Sequence, residues 1–375
     1  MKQRLTTIAL SLMFMLSVIL GACGSPDKET RPSILPADAR GQAQTQPSDD
    51  ESDATSLEDC FASAILAMEE QVTIDGITAD EGVVAFRSML AKHPEIFWLT
   101  GNISYITSTQ GNSSSVEFAF DFRMPPNQVK SAQESMETAI SAILSGVKKT
   151  MSDFEKALYL HDSIVSSVEY NHTAYERSRQ DDNYRHNGQT AYGCLVEGSA
   201  VCSGYAKGYQ LLLQRVGIPC QYVTGVANGG SHAWNIITLD GDPYYVDITW
   251  DDPSPTADGS VRDTHEFFCI TTEELLETHT LDANMEVPYC SAVKYDYYRY
   301  FNLYMEAYDP DEYGRLLRNS QGSLSVKFGS CAAAAEATRR LSETGEIFKL
   351  DDSISSAMYW YSEGSRLLTY EFTRK

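Results

Sequence analysis

One cysteine in this chain stands where small residues give way to an apolar helical pattern. Cys202 precedes Ser203 and Gly204, and the pattern predicts a helix that begins at the cysteine and ends at Gly217. A helix N-terminus favours an anion, because unpaired backbone N–H groups and the helix dipole point toward it. The thiolate is the nucleophilic form of cysteine. The position therefore suits a nucleophile, although a small buried apolar residue at a helix start is the alternative explanation for Cys202 taken alone.

A histidine and an aspartate follow the cysteine, and each could be the hydrogen-bonding partner that the other requires. His232 stands at the mouth of a predicted strand, just after Gly229-Gly230, and Asp247 lies within the next, otherwise apolar strand. A buried carboxylate is costly unless it is paired. A neutral histidine needs its Nδ1–H held so that Nε2 faces the thiol. Cys202, His232 and Asp247 are therefore predicted to form a catalytic group.

Hairpin geometry leaves two acids that could hold the histidine. Asp240-Gly241 favours a two-residue turn, and this register carries the second strand as far as Asp251. Asp247 and Asp251 then share the face of His232, while Asn235 points to the other face. We expect Asp247 to be the partner because it lies inside the apolar strand, whereas Asp251 begins a polar stretch that water can solvate.

The order of these residues and their local sequence resemble the transglutaminase-like superfamily of papain-like thiol enzymes, specifically its secreted bacterial members. The resemblance lies in AVCSGYAKGYQLLLQRVGI, SHAWNII and YYVDITWDDP, within a stretch from about Met151 to Ile270. It implies an α+β fold in which the helix that carries the cysteine packs on an antiparallel sheet. It also implies that Cys202 is the nucleophile, His232 the general base and acid, and Asp247 the residue that orients His232.

The oxyanion hole is less fully specified by the resemblance. One donor in such enzymes is the backbone N–H of the nucleophile, and another comes from upstream. The candidates are Gln189 and Tyr192 in GQTAYGCL, with Tyr192 slightly preferred. Many animal members use an upstream tryptophan, which this interval lacks, so the second donor and crosslinking activity stay open. No acidic loop has the spacing of a dedicated calcium site, and we predict no cofactor and no metal.

Two further segments flank the predicted site. Ser152 to Glu155 has the form of a capping box, and it starts a helix that carries His161 toward the core as a structural residue. The polar stretch from Asn171 to Thr190 is predicted to be a loop. Its length fits either a mobile flap beside the site or a plain surface loop.

The first residues have the layout of a secretory signal. A basic start and an unbroken apolar run end in Leu20-Gly21-Ala22-Cys23, which resembles the lipobox of bacterial lipoproteins. The resemblance implies that Cys23 is lipidated and becomes the first residue of the mature chain. A plain cleaved signal and an uncleaved anchor are the alternatives. No later stretch is long and apolar enough to span a bilayer, so we expect a lipid anchor at the extracellular face of the cell membrane.

Composition and pattern divide the chain into five segments. Residues 24–57 are rich in Pro, Gln, Ser, Asp and Glu and cannot bury a core. The predicted segments are a signal peptide at 1–22, the lipidated cysteine and a disordered linker at 23–57, an N-terminal α+β domain at 58–148, a transglutaminase-like catalytic domain at 149–290, and a C-terminal α+β region at 291–375.

Charge and cysteine content exclude some classes of protein. The formal net charge is -23, so nothing concentrates positive charge against phosphate, and a nucleic-acid partner is not expected. There are eight cysteines. Apart from Cys23 and Cys202 they lack the short paired spacing of a zinc site or a small disulfide framework. Export permits disulfides, but buried free thiols fit the sequence equally well.

These observations predict a lipid-anchored thiol enzyme that acts on amide bonds by acyl transfer. Hydrolysis is favoured over crosslinking because water is always available, and the expected substrate is a protein or peptide, with the cell envelope suggested by location alone. The alternative is a catalytically silent surface binding module with the same fold. A metal site built from Cys202 and His232 is a third, weaker alternative.

Overall fold

The computed structural model describes residues 56–110, 113–181, 184–252, 264–283, 285–362 and 366–375. The predicted signal peptide, Cys23 and almost all of the predicted linker lie outside these residues. Within the described ranges, no helix has the length and apolar character needed to cross a membrane.

The N-terminal elements form a three-stranded antiparallel sheet with three helices. In chain order they are α1 (Leu57–Leu66), β1 (Gln71–Asp75), α2 (Ala79–Lys92), β2 (Leu99–Gln110), β3 (Ser113–Phe122) and α3 (Pro126–Leu144). The sheet order is β1-β3-β2. The helical spacing of 79–92 and the strand alternation near 102–106 and 116–122 are confirmed, whereas β1 was not predicted.

The central elements surround a five-stranded antiparallel sheet. They are α4 (Asp153–Val165), β4 (Glu169–Tyr170), α5 (His172–Gln180), α6 (Ala191–Leu195), β5 (Ser199–Ala200), α7 (Cys202–Arg215), β6 (Cys220–Ala227), β7 (Gly230–Leu239), β8 (Asp242–Val246), α8 (Ile248–Asp251), β9 (Phe268–Ile270), α9 (Thr272–Leu275) and β10 (His279–Leu281). The sheet order is β10-β6-β7-β8-β9. Helix α7 packs on β6 and β7, as the resemblance implied.

Helix α7 begins at Cys202 and is held very close to the chain upstream of it. A Cβ atom at Gly204 would lie 2.2 Å from the carbonyl oxygen of Gly188, so only glycine fits there. The helix ends before Gly217, whose φ of 79° is the left-handed conformation predicted for the end of this helix.

The β7–β8 hairpin has the predicted register, but β8 is shorter than expected. Leu239 pairs with Asp242, and the last pair is Asn235 with Val246. Asp247 then caps α8, because its side chain accepts a hydrogen bond from the backbone N–H of Trp250. The prediction that the strand extends to Asp251 is therefore wrong.

Asp251 differs from its prediction in a second way. It is fully buried rather than solvated. It accepts hydrogen bonds from the Phe267 backbone N–H at 2.9 Å and from His161 Nε2 at 3.2 Å. The acid is satisfied by protein groups, because α8 turns it inward toward α4. His161 is buried on the core face of α4, as expected.

The polar stretch 171–190 is not a simple loop. Helix α5 occupies its first half, and a 3₁₀ turn covers Asn187–Gln189. Asn171 caps α5 by accepting a hydrogen bond from the Ala174 N–H at 2.8 Å. The loop prediction was wrong because α5 is held by an N-cap and a single buried alanine. Neither feature produces a periodic pattern of apolar residues in the sequence.

The C-terminal elements form a four-stranded sheet with its own apolar core. They are α10 (Tyr297–Tyr300), β11 (Tyr304–Met305), α11 (Pro310–Asn319), β12 (Ser323–Phe328), α12 (Cys331–Thr338), α13 (Ile347–Leu350), β13 (Ile354–Ser362) and β14 (Leu367–Arg374). The sheet order is β11-β12-β14-β13. The predicted helix, strand, helix and hairpin are present, but α13 is an additional helix between α12 and the hairpin. The predicted hairpin turn at 363–365 lies outside the described residues.

A shared apolar core and a buried ion pair are among the contacts that join these groups of elements. One apolar core contains Phe61 and Phe118 of the N-terminal elements together with Phe154 and Tyr209 of the central ones. On the other side, the buried Lys327 of β12 lies 3.2 Å from the Asp296 carboxylate and 3.3 Å from that of Glu274 on α9. The C-terminal sheet is thus tied to the central one through a buried cation.

Candidate active site

The thiol of Cys202 lies at the N-terminus of α7 and is largely buried, with 8% of the residue exposed. It packs with Ala206, Ala233 and Tyr222. The residue before it, Val201, has no side chain that could cap the first N–H groups of the helix. These donors can therefore act on an anion at the cysteine.

His232 lies on β7, opposite Gly225 of β6, and joins the thiol to an acid. Its Nε2 lies 2.6 Å from Asp247 Oδ2. Burial acts to lower the pKa of His232, but the charge and hydrogen bond of Asp247, and then the contact with Cys202, raise it to about 10. His232 is therefore an imidazolium at neutral pH, with Cys202 on one side and a carboxylate on the other.

The ring nitrogens of His232 have the opposite roles to those predicted. The acid holds Nε2, which leaves Nδ1 for the thiol. Asp247 lies one residue past the end of β8 and diagonal to His232, and the distal ring nitrogen spans such a gap best. The three residues lie together in the structure, but the ring of His232 is turned the other way round from the prediction.

Asp247 is the most deeply buried member, with none of its side chain exposed. Burial alone would raise its pKa, yet His232 and then His279 hold the pKa of this carboxyl below its usual range. Its Oδ1 accepts the Trp250 N–H at 3.3 Å, so the cap of α8 and the partner of His232 are the same carboxylate. The acid is ionised and fixed in place.

His279 was not predicted to belong to the site. It lies on β10, fully buried, and its Nε2 is 3.1 Å from the same Oδ2 of Asp247 that His232 contacts. Its Nδ1 lies 2.7 Å from Thr278 Oγ1, and its ring packs against Trp250 at 4.5 Å between centroids. His279 is 32 residues from Asp247 in the chain and stands in a three-residue strand, so the sequence carries no signal for this contact.

The two oxyanion candidates lie in different surroundings. Gly188, next to Gln189, accepts a hydrogen bond from the Val201 N–H at 2.9 Å, so this turn lies against the start of α7. Gln189 Oε1 faces the His186 N–H at 3.3 Å, which leaves its NH2 group to donate elsewhere. The ring of Tyr192 instead stacks on Phe97 at 4.8 Å.

Four of the other thiols are held in apolar surroundings. No described cysteine forms a disulfide. Burial raises the pKa of four of these thiols well above the ordinary range, to about 12 in the case of Cys290; the other three are Cys194, Cys220 and Cys269. These four side chains behave as small apolar residues.

His232, Asp247 and His279 could also be regarded as metal ligands, because one donor atom from each lies within 4.8 Å of the others. Both imidazoles, however, approach a single carboxylate oxygen at hydrogen-bond distances. That convergence is what two N–H donors and one acceptor require. Asp247 is also fully buried and holds the Trp250 N–H, so it cannot turn away from the two histidines to make room for an ion.

Comparison with known proteins gives a family match over part of the chain. Residues 141–248 match the family model of the transglutaminase-like superfamily, so the chain contains a transglutaminase-like domain that includes Cys202, His232 and Asp247. The fold is mixed helix and sheet with this domain at its centre. No curated protein matches the chain.

Three solved structures show weak similarity. They are a TGase (14% identity, TM-score 0.29, covering 51% of this chain and 55% of that one), a candidate cysteine protease from Cytophaga hutchinsonii (15%, 0.25, 44% and 65%) and a candidate protease from Parabacteroides distasonis (11%, 0.21, 44% and 41%). The chain spans less than two thirds of each of them. The assignment to the superfamily rests on the family match.

Proposed function

We propose that this protein is a thiol enzyme that acts on amide bonds by acyl transfer. The observation that carries the proposal is the contact of Cys202 with His232, whose Nε2 lies 2.6 Å from the buried Asp247, at the N-terminus of a helix in a transglutaminase-like domain. In this proposal Cys202 is the nucleophile, His232 the general acid and base, and Asp247 the residue that holds His232.

The reaction begins with the Cys202 thiolate and the His232 imidazolium. The sulfur attacks the amide carbonyl carbon, and the carbonyl oxygen becomes an oxyanion. His232 gives its Nδ1 proton to the amine nitrogen, the C–N bond breaks, and an acyl thioester remains on Cys202. Water then attacks the thioester carbon as His232 takes its proton, the C–S bond breaks, and the carboxylic acid leaves with the Cys202 thiolate and the His232 imidazolium restored.

The oxyanion needs donors at the start of α7. We assign one to the backbone N–H of Cys202 and the other to the side-chain NH2 of Gln189. Gln189 is chosen over Tyr192 because its turn lies against Val201 and its carbonyl already accepts other donors. The ring of Tyr192 instead stacks on Phe97 of the N-terminal elements.

The proposed location and substrate rest on the sequence. We propose that Cys23 carries lipid and holds the enzyme at the extracellular face of the cell membrane, with no other membrane contact. The proposed substrate is a protein or peptide, with cell-envelope peptides first among the candidates, and no nucleic acid. Hydrolysis is favoured over crosslinking because water is present at any extracellular site.

A substrate screen tests the proposal. Purified protein is incubated with peptides and cell-wall fragments, release of ammonia or amine is measured, and the acyl enzyme is trapped and located by mass spectrometry. Cys202→Ser should abolish release, whereas Cys331→Ser, at an exposed thiol, should leave it unchanged. Binding of a fragment without turnover, equal in both variants, would instead support a silent binding module.

A further inference from the structure

A second group of histidine and aspartate side chains lies outside the candidate active site, where α4 meets the segment before β9. Asp162 Oδ1 lies 2.9 Å from His161 Nδ1 and 2.9 Å from His265 Nε2. One donor atom from each of the three residues lies within 4.8 Å of the others. The group borders a pocket of about 300 Å3 that Tyr159 and Ser166 also line. Two imidazoles and a carboxylate thus converge beside open space.

We propose that His161, Asp162 and His265 form a binding site for a divalent transition-metal ion, with zinc as the best fit. Two imidazole nitrogens and one carboxylate oxygen, with a remaining position for water, are a common zinc donor set. Calcium and magnesium prefer oxygen ligands throughout. The inference concerns a different part of the molecule and does not depend on the proposed reaction.

A buried second carboxylate supports this assignment. His161 Nε2 lies 3.2 Å from Asp251 Oδ2, and both side chains are almost entirely buried. Histidines that bind a metal usually donate their other ring N–H to a carboxylate, which fixes the tautomer and leaves the first nitrogen free to coordinate. Asp251 is fixed in turn by the Phe267 N–H and by Thr264 Oγ1. His161 is therefore oriented with Nδ1 toward Asp162 and the pocket.

The third ligand is also held in one orientation. The ring of His265 stacks on Tyr297 with centroids 3.9 Å apart and planes 4° from parallel. This contact fixes the ring plane and leaves Nε2 directed at Asp162. Two of the three ligands are thus positioned by neighbours that do not themselves reach the site.

Charge and geometry both permit an ion. Asp162 and Asp251 place two carboxylates at the cluster, and a divalent cation would neutralise them on displacing protons from the ligating imidazoles. Zinc bonds of about 2.0–2.2 Å place tetrahedral ligands roughly 3.3–3.5 Å apart, so Asp162 must move outward by about half an ångström from its hydrogen-bonded position. Its side chain is 51% exposed and can make this movement.

Zinc titration of the metal-free full chain by calorimetry tests the proposal. We expect one zinc ion per chain and a rise in melting temperature on binding, since the ion would join α4 to the segment before β9. Asp162→Asn and His265→Gln keep size and polarity and should remove this binding. Asp251→Asn should weaken it by about 10- to 100-fold, as loss of an outer-shell partner does.

Two control variants make the experiment decisive. His93 lies 2.8 Å from Glu95 at the surface, in a contact that belongs to neither three-residue group, so His93→Gln should bind zinc like wild type. His279→Gln should also retain binding. The proposal is overturned if wild type binds no zinc, if Asp162→Asn and His265→Gln bind it unchanged while their folded fraction matches wild type, or if His279→Gln is the variant that loses it.

Discussion

Replacing Asp247 with asparagine removes one negative charge and changes almost nothing else in size. Asp247 Oδ2 receives hydrogen bonds from His232 and His279, and Oδ1 receives one from the Trp250 N–H. An asparagine must direct its NH2 group either at the two histidines or at the Trp250 N–H. Either choice places the asparagine NH2 group against another N–H donor. The variant therefore loses either the hydrogen bond that orients His232 or the one that caps α8.

The expected loss of rate in Asp247→Asn is large because the carboxylate is buried. Hydrogen bonds to charged groups contribute about 1.5–3 kcal/mol, and removing one partner of a buried ion pair costs about 3–5 kcal/mol. A loss of about 3–4 kcal/mol in the stability of the imidazolium beside the thiolate corresponds to about a 100- to 1000-fold lower rate, since 1.36 kcal/mol is tenfold. We expect this loss in turnover and in the alkylation rate of Cys202 at neutral pH.

The assay does not require a known substrate. Iodoacetamide labelling is followed by peptide mass spectrometry, with the exposed Cys331 thiol as an internal reference within each sample. Asp251→Asn is the matched control, because it makes the same chemical change at an equally buried acid that contacts His161 instead of His232. If Asp251→Asn slows Cys202 as much as Asp247→Asn does, or if neither slows it, the assignment of the acid fails.

Other predictions follow from the same contacts. Asp251→Asn should lower the free energy of unfolding by about 1–3 kcal/mol, measured by urea titration, and an unchanged midpoint would show that its buried hydrogen bonds contribute nothing. Because the pKa of His232 rises from 6.5 to about 10 on folding, its stabilisation is complete below pH 6.5 and is lost progressively toward pH 10. The fall in unfolding free energy between pH 7 and 10 should therefore be smaller in His232→Gln, and equal falls would refute the cause given. Cys23→Ser should move the protein from the membrane fraction to the medium or leave an uncleaved precursor, and normal processing with full membrane retention would count against the lipid anchor.

The parts of the fold that sequence predicts well are those set by local chemistry. The small residues after Cys202, the left-handed Gly217 and the turn at Asp240-Gly241 each act within a few residues, and the helix and hairpin they define are present. The register was correct as far as Val246. It failed at the next residue, because the Asp247 side chain captured a backbone N–H and turned the chain into α8.

In the candidate site, too, some contacts were predictable from local sequence and others were not. The contacts among Cys202, His232 and Asp247 were predictable because each of these side chains requires a polar or charged partner. That requirement is visible in the sequence of its own segment. His279 reaches Asp247 only because β10 pairs with β6 at the far side of the sheet. Asp251 looked solvated because polar residues follow it, and only the packing of α8 on α4 shows that it is buried. Contacts that depend on the assembly of distant elements leave no local pattern.

The buried Lys327 bears on how the chain can be divided. Its two carboxylate partners, Asp296 and Glu274, lie on opposite sides of the predicted boundary at 290 and 291. A protein truncated at that boundary would lose the cation and one acid and retain the other acid, Glu274, on a newly exposed apolar surface. Removing one partner of a buried ion pair is costly. The last 85 or so residues are therefore a poor candidate for a detachable module, and loss of activity after truncation would not by itself assign them a role in binding or chemistry.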